Sequence, residues 1–236
     1  MTTLLIATRN AHKVGEIQAI LGASFRCLAL NDFPGAPPVR EDAATFAGNA
    51  AKKAVEIARW LTQGGQASRT PPGFVLADDS GLEVDCLHGA PGVHSARFAA
   101  LDRDSDGRAG VDGNSPDAEN NAKLLRCLHG VPLERRAARF RCVLALVAVP
   151  VAHPESASPV CHADELAPRF FEGACEGRIQ MAASGGGGFG YDPLFVPEGC
   201  TQSFAELGEE LKNRLSHRAR ALAQLKLFFT PHRPSA

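Results

Sequence analysis

The sequence predicts an α/β protein with a largely mixed sheet. Three observations lead there. Short apolar runs suited to buried strands occur at residues 3–7 and 74–77 and in the second half of 137–149. Segments with helical apolar spacing stand between and beyond them, and the two kinds alternate along the whole chain. A chain of 236 residues accommodates one sizeable α/β domain or two intimately joined lobes, and an apolar fraction of 44% is ordinary for a globular core.

The elements follow in order. Thr3 to Ala7 is an apolar strand that stops at Thr8-Arg9-Asn10, after which Val14, Ile17, Ile20 and Leu21 keep helical spacing as far as Gly22. A second helix is predicted from Thr45 to about Gln63, because Phe46, Ala50, Ile57, Trp60 and Leu61 share a face and Gly64-Gly65 ends it. Phe74 to Ala77 is a buried strand that runs into Asp78-Asp79-Ser80-Gly81, so the acids are expected at its C-terminal end, where open α/β sheets place their sites. Asp117 to Leu128 reads as a helix and Ala137 to Val149 as a long strand. Val160 to Met181 supplies a further strand or two before the glycine run 185–188. Ser216 caps a last helix with Leu222, Leu225 and Phe229 on one side. Residues 64–73, 101–116 and 150–159 are rich in Gly, Pro, Ser or Asp and read as surface loops.

Bulk properties exclude several classes. A net charge of −1 gives no general attraction to nucleic acid or an anionic membrane, so a phosphate site has to be a local cluster. Seven cysteines, odd in number and without a CxxC pair, argue against a disulfide framework and a cysteine–zinc site and for reduced, cytoplasmic thiols. No apolar run approaches the roughly 20 residues that span a bilayer, and the N-terminus lacks the layout of an export signal.

Four segments carry candidate chemistry. Thr8-Arg9-Asn10-Ala11-His12-Lys13 brings hydroxyl, amide and ammonium groups to a helix start, a combination that suits phosphate, although it is no P-loop and also reads as a capped, solvated helix end. Glu41, Asp78 and Asp79 form a carboxylate set that a divalent cation would explain, with a plain Asp-Asp-Ser-Gly turn as the alternative. Magnesium suits so small a set beside Lys13 and Lys53, and Lys53 shares a helix face with Asn49. Glycines flank Phe189 in Gly188-Phe189-Gly190-Tyr191-Asp192, which either exposes a ring for base stacking or makes a turn around a core phenylalanine. Lys212, Arg214, His217 and Arg218 gather at the start of the last helix, as a phosphate or base-edge site or as a solvated face. Asp102, Asp104, Asp106 and Gly107 imitate the opening of a calcium loop. The twelfth position is Gly113 where a bidentate Glu is needed, so a polar loop is expected.

Together these segments resemble the inosine triphosphate pyrophosphatase family, which hydrolyses non-canonical purine nucleoside triphosphates. The matching pieces are LLIATRNAHKVGEI, TF..NA..KA, VLADDSGLEVDCLHGAPGVHSARF, GGFGYDPLF and ELKNRLSHRARAL, in the family's order from residue 4 to residue 222. The resemblance implies an elongated, twisted mixed sheet flanked by helices, one pyrophosphatase domain over residues 1–236 with two lobes and a central nucleotide cleft, and a homodimer. It implies a purine triphosphate substrate (ITP, dITP or XTP) and Mg2+ as cofactor. Thr8 to Lys13 match the family's substrate loop, Glu41 and Asp79 its metal-associated acids, and Asp79 also its proton acceptor. Ser80, Phe189, Gly190, Tyr191, Asp192, Lys212, His217 and Arg218 match its other substrate contacts, and Lys53 is expected to neutralise phosphate charge. Gly48 departs from the family by standing where an acidic residue is usual, and Ala100 by replacing a glycine.

Overall fold

The computed structural model describes residues 1–64, 72–104, 114–150 and 166–230. Six strands, β1 (Thr2–Ile6), β2 (Phe25–Ala29), β3 (Phe74–Val84), β4 (Ala137–Ala148), β5 (Arg169–Ile179) and β6 (Phe195–Pro197), form one sheet in the order β2-β1-β3-β4-β5-β6. β1 runs parallel to both β2 and β3, whereas β6 is antiparallel to β5, so the sheet is mixed as the sequence predicts. The helices are α1 (Ala11–Leu21), α2 (Phe46–Thr62), a single turn α3 (Leu101–Asp104), α4 (Asp117–Cys127), α5 (Phe204–Leu215) and α6 (His217–Phe229).

The chain divides into two compact units, one made of residues 1–79, 143–172 and 221–236, the other of 80–142 and 173–220. In the first, Leu4, Leu5 and Ile6 of β1 are wholly buried, α1 turns in Val14, Ile17 and Leu21, and α2 turns in Ala50, Ala54, Ile57 and Ala58. Phe229 of α6 meets Phe25 and Phe74 edge to face with ring centres 5.5 and 5.0 Å apart, the geometry that opposed ring quadrupoles favour. In the second unit, Leu82, Val84, Leu124, Leu128, Ile179, Phe195 and Phe204 form the centre of a contiguous apolar core. Buried Arg136 spends its donors on the carbonyls of Leu128, Val131 and Gln180, so its charge is met by backbone dipoles at the core's edge.

Several boundaries differ from those read in the sequence, for physical reasons. The strand expected at 74–77 continues to Val84, so Asp78 and Asp79 lie inside β3 instead of in a turn at its end. The Asp-Asp-Ser-Gly tetrad favours a turn locally, but buried partners on other elements hold the pleat. β2 leaves no clear mark in the sequence, because it is half exposed and lacks a continuous apolar run. β6 has only three residues. α5 is marked only by half of a capping box at Ser203 and Glu206, with the Glu206 carboxylate accepting the Ser203 N–H at 2.8 Å. Gly208 breaks that helix with φ 78°. The Ser216 hydroxyl accepts the Ala219 N–H at 3.2 Å, as expected of the cap of α6. Of the three predicted loops, residues 65–71, 105–113 and 151–159 lie outside the described residues, as do residues 160–165 at the start of the strand region expected from Val160 to Met181, which supplies β5. Asp102 of the calcium-loop lookalike pairs with Lys123 at 2.6 Å.

Candidate active site

The predicted site residues fall into two groups, one in each unit. In the first, β1 gives way to a tight turn, with Thr8 N–H donating to Ile6 O at 2.8 Å. Asn10 then caps α1, its side chain accepting the Lys13 N–H at 3.2 Å, while the Thr8 hydroxyl accepts the Asn10 N–H at 3.2 Å. The cap fixes the first turn of α1, which holds Ala11 and His12 at the surface. Lys13 reaches Asp78 Oδ1 at 2.7 Å. Arg9 donates to Ala36 O at 2.8 Å and so ties the loop to the segment after β2.

Successive side chains of a strand point to opposite faces, which lets β3 carry two adjacent buried acids. Asp78 meets Lys13 of α1, and Asp79 meets α2. The residues Asn49 and Lys53, four apart, lie on one face of that helix, and both reach Asp79. The Lys53 ammonium donates to Asp78 O at 2.8 Å and Asp79 Oδ1 at 3.1 Å and lies 3.2 Å from Glu41 Oε2. Asn49 donates to Asp79 Oδ2 at 3.2 Å and accepts the Ala43 N–H at 2.9 Å. The sequence placed Asn49 beside Lys53 without giving it a task, and Asp78 is the missed partner of Lys13.

The electrostatics separate the two acids. Burial at 5% exposure pushes the Asp79 carboxyl up to about 6, against the pull of Lys53 and Lys13 and with the help of the Glu41 charge. Glu41 is held below its ordinary value: burial opposes this, but Lys53, a hydrogen bond from Asp79 and Lys13 outweigh it. Lys53 is raised: burial would lower it, but Asp79, Glu41 and Asp78 prevail. The result is one carboxyl raised and one lowered, both beside the ammonium of Lys53. Among the described residues no three His, Cys, Asp or Glu side chains gather as a metal cage. A pair of carboxylates fits a hard cation that draws its remaining ligands from water and phosphate oxygens, which is how Mg2+ is usually held.

The second group is organised around the glycine-rich turn. Asp192, 2% exposed, accepts the Phe189 N–H at 2.8 Å and the Lys212 ammonium at 2.5 Å. Gly188 has φ 70° and a Cβ there would overlap the Asp192 carboxylate, so only glycine closes this turn. Two residues of α4 hold the Gly190 peptide from both sides: Asp117 accepts its N–H at 2.6 Å and Asn121 donates to its carbonyl at 2.9 Å. Nothing in their sequence context marked either one. The Lys212 ammonium stands 4.4 Å from the Phe189 ring centre and the Arg218 guanidinium 5.9 Å from it, within the range of cation–π attraction. Arg218 is 1% exposed and donates to the Ser80 hydroxyl at 3.0 Å. His217 stacks on Phe140 at 4.8 Å. Tyr191 belongs to the core, its hydroxyl donating to Ser95 O at 2.9 Å, and burial raises its pKa.

A mixed sheet with helices packed on it, carrying buried acids held by lysines, defines the class as an α/β protein with a buried acid–lysine centre. The chain belongs to the Ham1 family, whose model matches residues 4–228. It is 44% identical to the dITP/XTP pyrophosphatase of Desulforamulus reducens over 93% of this chain and 91% of that one. It is 46% identical to the dITP/XTP pyrophosphatase of Pseudomonas aeruginosa over 94% of each. Among solved structures it is similar to a HAM1 protein from Coxiella burnetii, with a TM-score of 0.72 and 33% identity over 97% of this chain and 98% of that one. A nucleoside-triphosphatase / dITP/XTP pyrophosphatase from Mycobacterium abscessus gives a TM-score of 0.63 and 37% identity over 95% and 98%. No helix among the described residues is long and apolar enough to cross a membrane.

Proposed function

We propose that this chain is a nucleoside triphosphate pyrophosphatase that hydrolyses ITP, dITP and XTP to monophosphate and pyrophosphate, and thereby clears non-canonical purines from the nucleotide pool. It acts as one domain over its whole length, as a cytoplasmic homodimer with Mg2+, on free nucleotides and not on nucleic acid. The observation that carries the reading is the buried Asp79, hydrogen-bonded on both oxygens and joined to Glu41 through the Lys53 ammonium they share. Near-full-length similarity to dITP/XTP pyrophosphatases supports the choice of substrate.

Glu41 and Asp79 would hold the cation, which when bound withdraws charge from the triphosphate. Lys13 and Lys53 neutralise the developing pyrophosphate, and the α1 start offers its N–H groups to the same oxygens. A carboxylate beside a bound cation stays ionised, so Asp79 would be in the form that orients the attacking water and accepts its proton. Phe189 stacks on the purine, with Gly190, Tyr191 and Asp192 shaping its turn, while His217 and Arg218 donate to the 6-oxo group and Lys212 and Ser80 complete the contacts.

The test is product analysis with dITP, XTP and ITP in Mg2+. One pyrophosphate per nucleotide consumed is expected. Stepwise release of orthophosphate through the diphosphate refutes the assignment.

A further inference from the structure

Glu41 lies on a segment without helix or strand of its own, so something else has to fix it beside Asp79. Two residues further on, the Ala43 N–H donates to the side-chain oxygen of Asn49, whose nitrogen donates to Asp79 Oδ2. Asn49 is wholly buried, and its one amide links the segment carrying Glu41 to the strand carrying Asp79. Neither a carboxylate nor an apolar side chain can serve both ends: the first would repel Asp79 and the second would leave the Ala43 N–H unmet. The approach of Ala43 depends in turn on the neighbouring residue. A Cβ on Gly48 would stand 2.8 Å from the Ala43 Cβ, closer than carbon atoms pack, and a tight 3.2 Å from the Thr45 hydroxyl oxygen. Ala43 therefore rests against a bare α-carbon.

We propose that Asn49 is the positioning residue for the Glu41–Asp79 pair, and that Gly48 is required in this chain because it lets the Ala43 segment close onto that amide. The inference rests on the Mg2+-dependent pyrophosphatase reading and adds which residue ties the segment carrying Glu41 to the strand carrying Asp79. Outer partners that orient metal ligands typically govern affinity by about tenfold to a hundredfold.

Gly48→Ala is the informative variant. Alanine is the better helix former at this position within α2, so a purely structural role predicts unchanged or improved stability and unchanged metal binding. The positioning role predicts a protein that still unfolds cooperatively, at a Tm no higher than wild type because the Ala43–Asn49 bond is lost, with a Kd for Mg2+, measured by titration calorimetry, weakened on the order of tenfold. Removing the opposing methyl in Ala43→Gly/Gly48→Ala should recover most of that loss, and Asn49→Ala should show the same loss without that route to recovery. A Gly48→Ala protein that binds Mg2+ within about twofold of wild type, or a double variant that stays as weak as the single one, overturns the inference. The wild-type control separates the two readings. A wild type that releases no pyrophosphate from dITP overturns the functional reading and this inference with it, whereas normal wild-type turnover beside an unaffected Gly48→Ala Kd overturns the inference alone.

Discussion

Replacing Asp79 by Asn should abolish turnover and at the same time change how stability depends on pH. In the metal-free protein, burial lifts the Asp79 carboxyl from the ordinary 3.8 to about 6. An acid whose pKa is raised by folding contributes most below the unfolded value, and stability is lost as pH climbs from 3.8 towards 6 and above. The interval corresponds to roughly 3 kcal/mol at about 1.36 kcal/mol per pH unit. About 2 kcal/mol of it falls between pH ~4.5 and pH ~7.5, a window that avoids strong acid. Asparagine does not titrate. It also places an amide nitrogen opposite either Lys53 or Asn49, both donors, which costs about 1–3 kcal/mol but equally at every pH. The difference in unfolding free energy, variant minus wild type, should therefore rise by about 2 kcal/mol across that window whatever its offset. The assay is urea unfolding of both proteins in EDTA at the two pH values, paired with pyrophosphate release in Mg2+. Turnover should fall on the order of a hundredfold or more. A stability difference that is flat with pH shows that Asp79 is not the group strained by burial, and near-normal turnover at saturating Mg2+ removes it from the chemistry.

Three further outcomes follow from the same geometry. Apparent Mg2+ affinity should be level above about pH 7 and fall by up to about tenfold per pH unit below 6, since proton and cation compete for Asp79; a flat titration profile by calorimetry contradicts this. Lys212→Met leaves Asp192 buried without its counter-charge and should destabilise by about 3–5 kcal/mol in denaturant unfolding, with partial recovery in Lys212→Met/Asp192→Asn; a loss under about 1 kcal/mol denies the pair its role. Arg218→Ala should narrow the ratio of kcat/KM for dITP over dATP by tenfold to a few hundredfold, because the 6-amino group of adenine confronts a donor where the 6-oxo group accepts one. The ratio does not depend on the fraction folded, so equal losses on both substrates assign Arg218 to phosphate binding or folding.

The parts of the fold legible in the sequence were those whose signal is local. Val14, Ile17 and Leu21 mark the buried face of α1 through period alone, Asn10 and Ser216 cap helices through their own side chains, and the apolar run at the end of β4 is buried because nothing in it can be exposed cheaply. The ordered motifs do the same for the site: they mark both Lys53 and Asp79, twenty-six positions apart in sequence and hydrogen-bonded in the fold. What remained hidden was set by partners distant in sequence. Asp78 and Asp79 stay extended, against a tetrad that favours a turn, because Lys13 and Lys53 meet them from other elements. The tasks of Asn49, Asp117 and Asn121 follow from which backbone groups they happen to face, and no spacing encodes that. Residue type and period determined the helices with a clear apolar face, the strands with a buried run, and which chemistry is available. Only the packed chain decided which carboxylate is strained and which is relaxed, because a charge buried in a poorly polarisable interior takes its energy from the few groups within several ångströms of it.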